Sequence, residues 1–380
     1  MSLPERYLSS WVKRDLAEKA VFVGGPRQVG KTTFALSFLS PPNKSHPAYL
    51  NWDIAAHQRP IAKAEFPPDQ SLLVLDEIHK YARWRGIVKG FYDAYFPKRH
   101  LLVTGSARLD HYRKGGDSLV GRYHYWRLHP FSLPELGKRS AKSDLEGLLT
   151  YGGFPEPLAR QDAVFHRRWQ RERHTRIVKD DLRDLEIVKE ISLLESLLDA
   201  LPERVASPLS IRSLSEDLQV AHATVARWLT LLENVYLVFR ISPFGASRIR
   251  AIKKEQKLYM WDWSAVQLQN PRLENMVASL LLKYCHFLED SQGYRMELRY
   301  LRDRSGREVD FVVLKEKNPL FAVECKTGDT SLSPHVAYFL ERTPIPKFFQ
   351  VHLDSTDVEK AGGRVRILPL ARFCAEMELV

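Results

Sequence analysis

Gly25, Gly30, Lys31 and Thr32 stand at the spacing GxxxxGKS/T within the run Gly25-Pro26-Arg27-Gln28-Val29-Gly30-Lys31-Thr32. Glycines at the two ends let a backbone curl until its N–H groups surround an anion, and a helix starting at the second glycine adds the positive end of its dipole. A lysine at the next position reaches the β- and γ-phosphates of a nucleotide, and a threonine after it offers a hydroxyl to Mg²⁺. The context fits, because the apolar run Ala20–Val23 precedes the loop and helical spacing follows it from Lys31 to Leu39. Gly25 to Thr33 is therefore the expected nucleotide-binding stretch, with ATP and Mg²⁺ as the cofactors.

The run Leu72-Leu-Val-Leu75 ends in Asp76-Glu77. An apolar buried strand that delivers two adjacent carboxylates beside such a loop suits one of them, Asp76, to hold Mg²⁺ and the other, Glu77, to act as general base on the attacking water. A third apolar run, His100–Thr104, continues through Gly105 to Ser106; its hydroxyl tip is expected to sense the γ-phosphate, through Ser106 or alternatively Thr104. Arg122 and Arg127 are candidates for an arginine that stabilises the transition state, acting in cis or from a neighbouring subunit of a homo-oligomer.

A second constellation lies near the C-terminus. Asp310 opens the run Asp310-Phe-Val-Val, and Glu324-Cys325-Lys326 follows fourteen residues later (324 − 310). Strand alternation puts Glu324 and Lys326 on one face. Two carboxylates there suit a divalent metal, with the lysine activating hydrolytic water and Glu274, at the start of an upstream helix, completing the set. The order strand, helix, three strands, helix, strand from Lys257 to about Leu353 resembles the restriction-endonuclease-like fold with its D…ExK signature. That resemblance implies nuclease chemistry, or the same fold kept as an inert scaffold.

The elements that must position these groups follow from periodicity. Short apolar runs at Ala20–Val23, Ala48–Leu50, Leu72–Leu75 and His100–Thr104 alternate with helical stretches such as Thr32–Leu39 and Trp84–Phe96. That alternation predicts βαβ units and a parallel sheet. The expected division is an α/β P-loop domain over 1–140, a helical lid or linker over 141–206, a winged-helix-like module over 207–256 and an α/β nuclease-like domain over 257–380. Arg160–Lys179 makes a strongly basic helix, suited either to a nucleic-acid backbone or subunit seam, or to a solvated surface with ion pairs to Asp180, Asp181, Asp184 and Glu186. Leu209–Glu233 reads as two amphipathic helices around a turn at Gln219–Ala221, with Leu214, Leu218, Val220, Val225, Leu229 and Leu232 facing inward. His222, Thr224, Arg227 and Thr230 are the exposed recognition positions of that helix-turn-helix pattern. A strand at Tyr236–Ile241 and the basic residues Arg240, Arg248, Arg250, Lys253, Lys254 and Lys257 come next, which makes DNA a possible partner and an inter-domain or protein-binding role the alternative.

Composition narrows the class. The 380 residues carry 57 Lys plus Arg against 46 Asp plus Glu, a net charge of +11, and that excess favours a polyanionic partner. With 44% hydrophobic and 27% charged residues the chain is globular, not disordered or collagenous. The longest apolar run, near Val277–Leu282, is far below the roughly 18–20 residues that span a bilayer, so no membrane association is expected. The charged N-terminal residues have no leader-like apolar segment, and Cys285, Cys325 and Cys374 are odd in number and far apart, which speaks against a disulfide framework or zinc site. The expected setting is the reduced cytoplasm.

The stretches GPRQVGKT, LLVLDE, TGSA, GRYHYWRLHPFSLPEL and Tyr151-Gly-Gly-Phe-Pro155-Glu156 together resemble the prokaryotic AAA+-type ATPases that carry a C-terminal domain of uncharacterised function. The resemblance covers nearly the whole chain. It implies ATP binding and hydrolysis, and no defined biological task; the basic stretches and the helix-turn-helix pattern add the expectation of coupling to DNA binding or processing, with an ATP-dependent regulatory or protein-interaction switch carrying an inert C-terminal domain as the alternative.

Overall fold

The computed structural model describes residues 3–105, 119–137, 142–177, 191–245, 256–328 and 331–380. Ser106, Lys179, Asp180, Asp181, Asp184, Glu186, Arg248, Arg250, Lys253 and Lys254 lie outside the described residues. The chain divides into two compact units: Glu5–His129 with Asn234–Tyr236, and Pro130–Glu233 with Leu237–Val380 and Met1–Pro4. The expected divisions near 206 and 257 fall inside the second of these.

The first unit is built on five parallel strands, β1 (Ala20–Gly24), β2 (Tyr49–Asn51), β3 (Leu72–Asp76), β4 (His100–Gly105) and β5 (Tyr123–Arg127), in the order β2-β3-β4-β1-β5. Helices cover a parallel sheet on both faces, which is why β1, β3 and β4 are near-continuous apolar runs without alternation. One side packs Phe22, Leu73, Leu75, Leu101 and Val103 against Ile78, Trp84, Val88 and Phe91. The register aligns the C-terminal ends: Gly24 lies level with Gly105 and with Arg127, and Asp76 with both Asn51 and Thr104. Open parallel sheets bind ligands outside this edge. The sequence therefore predicts the parallel sheet and its four expected strands to within two residues, and the helices Lys31–Leu36 and Trp84–Tyr95 fall where the spacing puts them.

In the second unit, β6 (Pro208–Leu209) precedes helices Ile211–Asp217 and His222–Asn234, followed by β7 (Val238–Pro243) and β8 (Gln256–Met260). β7 and β8 pair antiparallel, and β6 adds to β8, also antiparallel. Gln219 takes a left-handed φ of 54° at the turn between the helices. Leu214, Val225, Trp228, Leu229 and Leu232 are buried, while His222, Arg227 and Thr230 are exposed and Thr224 is half-buried. Beyond β8 come the 24-residue helix Gln269–Gln292, then β9 (Met296–Arg302), β10 (Glu308–Lys315) and β11 (Asn318–Cys325), helix Pro334–Leu340 and β12 (Phe348–His352). β13 (Val358–Lys360), β14 (Val365–Pro369) and helix Leu370–Glu376 end the chain. β10 pairs antiparallel with β9 and β11, and its register against β9 slips between Val309 and Val312. That bulge falls on Asp310, at the point where a bulge re-aims a side chain. Among the described residues no helix is long and apolar enough to cross a membrane.

Candidate active site

β1 ends in the loop whose glycines the sequence singles out. Gly25 (φ 153°) and Gly30 (φ 96°) adopt left-handed backbone, as does Gln28 (φ 66°). A Cβ on Gly25 would lie 2.4 Å from the backbone oxygen of Leu128, so only glycine fits there. Helix Lys31–Leu36 starts directly after Gly30. Lys31 is 5% exposed, and its ammonium donates to the carbonyls of Gly25 (3.1 Å) and Pro26 (2.7 Å), within the curl of the loop.

Asp76 is fully buried at the end of β3 and is satisfied from three sides. Thr32 Oγ1 donates to its Oδ2 at 2.7 Å, Tyr49 Oη at 2.7 Å and Asn51 Nδ2 at 3.1 Å, while the Thr104 hydroxyl donates to Oδ1. Burial and the neighbouring Asp76 charge hold the Tyr49 phenol well above its ordinary pKa, so it serves as a donor. Tyr49 and Asn51, on β2, are participants that sequence reasoning missed. The available signal is the polar Asn51 at the tip of an apolar run whose register places it beside Asp76.

Glu77 leaves β3 in the left-handed conformation (φ 54°), its amide donating to Thr104 O at 3.0 Å. Its carboxylate lies 3.6 Å from His79 Nε2 and 4.0 Å from Lys80 Nζ, and Lys80 also pairs with Asp53 at 2.8 Å. Burial lowers the His79 pKa more than the Glu77 charge raises it, so the imidazole is neutral at pH 7.

The two arginines part company. Tyr123 lies level with Ala20 and Arg127 with Gly24. Arg122 therefore sits at the opposite sheet edge from the loop, about 16 Å away at the rise of a strand. It forms a two-pronged pair with Asp93 (2.8 and 3.2 Å). The structure does not bring Arg122 to the loop in cis; Arg127 is the one placed at the loop edge.

In the second unit Glu274, Asp310 and the Glu324–Lys326 pair do come together, around a group that the sequence reading assigned elsewhere. Lys257, on β8, is fully buried, and its ammonium pairs with Glu274 Oε1 (3.0 Å), Glu308 Oε1 and Asp310 Oδ1 (3.9 Å). Tyr259 Oη donates to Glu274 Oε1 at 2.8 Å, and Cys325 N–H to Asp310 Oδ2 at 2.8 Å. Glu324, 4% exposed, accepts from Lys326 (2.9 Å) and Ser333 (3.3 Å) through Oε1. Its Oε2 has no hydrogen-bond partner among the described residues. Burial, then the charge of Asp310, pushes the Glu274 carboxyl up to about 8; burial, then Glu324, pushes Asp310 up to about 7. The expected pair of metal-binding carboxylates thus faces an ammonium, and among the described residues no three His, Cys, Asp or Glu side chains converge as metal ligands. Sequence neighbourhood groups Lys257 with the basic residues expected to face phosphate. Lys257 and Arg240, which pairs with Glu233 at 2.6 Å, are instead committed to carboxylates. Within helix Ala163–Arg176, Arg173 is likewise buried against the Phe154 ring (4.3 Å), while Arg167, Arg168, Arg171 and Arg176 are exposed.

Residues 17–137 match the family described as an AAA domain. Residues 142–269 and 271–373 match two families, each described as a domain of unknown function (DUF8612 and DUF4143). Similar proteins, each named only as uncharacterized, include one from Methanocaldococcus jannaschii (24% identical, 84% of this chain and 79% of that one). Others come from Mycobacterium tuberculosis (23%; 79% and 71%) and Haemophilus influenzae (22%; 83% and 85%). Among solved structures, the Thermotoga maritima RuvB Holliday junction branch migration motor aligns with 62% of this chain and 92% of its own, at 14% identity and a TM-score of 0.33.

Proposed function

We propose that the domain formed by residues 17–137, which match the AAA domain family, binds ATP with Mg²⁺ and hydrolyses it. The observation that carries the reading is the 2.7 Å hydrogen bond from Thr32, on the loop helix, to Asp76, on the neighbouring strand end. A hydroxyl and a carboxylate that already share one polar centre are the groups that would hold Mg²⁺, which supplies charge neutralisation on the phosphates. Lys31 exchanges its two carbonyl acceptors for phosphate oxygens, and the backbone N–H groups from Gly25 to Thr33, Pro26 apart, line the polyphosphate. Glu77 takes the proton of the attacking water, for which its carboxylate must swing away from Lys80. Thr104, at the end of β4, is the hydroxyl proposed for the γ-phosphate position; the first candidate by sequence, Ser106, lies outside the described residues. Arg122, paired with Asp93 at the far end of β5, is the candidate for serving a neighbouring copy in a homo-oligomer, whereas Arg127, level with Gly24, is the candidate for a role in cis. Release of phosphate from ATP, with and without Mg²⁺, tests the reading; an unresponsive wild-type protein overturns it.

The second unit supports a finer proposal. The segment from β6 to β8, with its two helices and the antiparallel pair β7–β8, serves as a winged-helix-like module, to which Arg248, Arg250, Lys253 and Lys254, between those two strands in sequence, lend basic charge. The elements after it form a restriction-endonuclease-like domain, so the chain divides near 140, 206 and 257. In this reading ATP turnover is coupled to DNA held by the winged module. The alternative is a regulatory or protein-interaction switch, and the commitment of Lys257, Arg240 and Arg173 to internal partners favours that alternative by thinning the basic surface.

A further inference from the structure

We propose that Lys257 is the resident cation of the C-terminal carboxylate cluster, occupying the position a divalent ion would need and keeping this unit free of divalent metal. The inference rests on the nuclease-like reading only for where such an ion would sit.

Four carboxylates crowd here: Glu274 on the long helix, Glu308 and Asp310 on β10, and Glu324 on β11. The cations that face them are Lys257, Lys326 and Arg302, the last pairing with Glu308 Oε2 at 3.2 Å. Lys257 is the central one, because three of the four carboxylates turn an oxygen to it. Its ammonium is fully buried and lies over the Tyr300 ring, 5.7 Å from Nζ to the centroid. A divalent ion entering between Glu274 and Asp310 would have to displace that ammonium, which has no solvent to retreat into. A buried ammonium stripped of its carboxylates is strongly unfavourable, and an ammonium left beside an incoming dication repels it.

The remaining lone pairs point the same way. The second oxygen of Asp310 is taken by the Cys325 amide, and Glu274 Oε1 is shared with Tyr259. Among the described residues Glu324 Oε2 is the fully buried carboxylate oxygen of the cluster that lacks a hydrogen-bond partner, and a divalent site closed from solvent needs several such oxygens. The residue types of a metal-dependent phosphodiesterase are thus assembled around an internal lysine, and the arrangement fixes β8, the long helix and β10 to one another.

The test uses the full chain without nucleotide and reads Mn²⁺ uptake by electron paramagnetic resonance together with melting temperature. With Lys257 in place, Asp310→Asn should leave Mn²⁺ uptake unchanged. Lys257→Met, which keeps the stem and removes the charge, should gain Mn²⁺ uptake and a melting temperature that rises with Mn²⁺. Adding Asp310→Asn to Lys257→Met should abolish both gains. Uptake by the wild-type chain that Asp310→Asn removes would overturn the inference while leaving the nuclease-like reading standing. A folded Lys257→Met chain that gains no Mn²⁺ would overturn both. If Lys257→Met does not fold, the wild-type comparison with Asp310→Asn still decides.

Discussion

Thr32 and Asp76 lie 44 residues apart in sequence, yet the threonine hydroxyl donates to the aspartate Oδ2 at 2.7 Å. Two separate βα units must close onto one another for that contact to form. The strand order β2-β3-β4-β1-β5 does this by placing only β4 between β1 and β3, and β4 contributes Thr104 to the same carboxylate.

The loop lysine and the strand glutamate should separate binding from turnover. Lys31→Ala removes the charge expected to meet the β- and γ-phosphates, so nucleotide affinity should fall by at least about tenfold, or ~1.4 kcal/mol. Glu77→Gln keeps the shape and loses the base, so affinity should persist while phosphate release drops by about 10²–10⁴. Titration with a fluorescent ATP analogue and a phosphate-release assay read the two effects. Wild-type turnover in Glu77→Gln would remove the assigned base.

Tyr49 offers a test of how Asp76 is held. Tyr49→Phe deletes one donor to a buried carboxylate and leaves the ring in place. A hydrogen bond to a charged group contributes about 1.5–3 kcal/mol, and the loss should appear as a lower denaturation midpoint of the P-loop unit. The Mg²⁺ concentration that supports half-maximal nucleotide binding should rise as Asp76 gains freedom, while binding measured without Mg²⁺ stays close to wild type. A change in both conditions alike would mean that Tyr49 acts only on the fold.

Acid should weaken the P-loop unit through His79. Its pKa in the folded chain is lowered, chiefly by burial, from the ordinary 6.5. The unfolded chain therefore binds more protons below that value, and stability present above about pH 6.5 is lost as pH falls through the lowered folded value. In the second unit the raised carboxyls of Glu274 and Asp310 act with the opposite sign, losing stability as pH rises through about 7 and 8. Hydrogen exchange of β3 and β4 amides, corrected for intrinsic rate, should show faster opening at pH 5.5 than at pH 7.5. His79→Gln should remove most of that difference. An unchanged difference would place its origin elsewhere.

Salt dependence separates the DNA-coupled reading from the switch. Phosphate contacts release counterions, so duplex affinity should fall steeply with salt if the winged-helix-like module follows a backbone. Reversing Arg248, Arg250, Lys253 and Lys254 to Glu should flatten the slope. Lys257 is left out of that set because it faces carboxylates and not solvent. No binding at about 50 mM salt would favour the protein-interaction switch, since phosphate contacts are strong at that ionic strength.

Local patterns were legible where one residue type has one physical reason. Gly25 and Gly30 announce left-handed backbone and close approach, and the unbroken apolar run before Asp76 announces a strand buried on both faces. The order of elements from β8 to β12 was legible for the same cause, since strand and helix periods differ. Partner identity was not. Lys257 and Arg240 belong by sequence neighbourhood to a basic stretch, and only the packing of β8 and β7 against the flanking helices reveals that they face Glu274 and Glu233. The same holds for Arg122, whose distance from the loop depends on which end of β5 it occupies.

The pair Lys283–Glu135 makes the last prediction, and it concerns how the second unit is joined internally. Lys283 lies on the long helix and Glu135 in the short helix Leu133–Leu136, and their side chains are 2% and 3% exposed. Lys283 Nζ also donates to Ser132 Oγ at 2.7 Å, and Ser132 Oγ in turn donates to the Val380 backbone oxygen at 2.8 Å. Ser132 and Glu135 form a capping box, so the ion pair also fixes the start of a helix. Removing either partner leaves a buried charge without its counterion. Glu135→Gln or Lys283→Met should each cost about 3–5 kcal/mol of stability. Replacing both with apolar residues, Glu135→Leu with Lys283→Met, should recover most of the loss, because no buried charge then remains. Urea midpoints of the two single variants and the double variant measure the coupling directly. Additive losses in the double variant would show that the two groups act independently, and would leave the capping box as the main reason for Glu135.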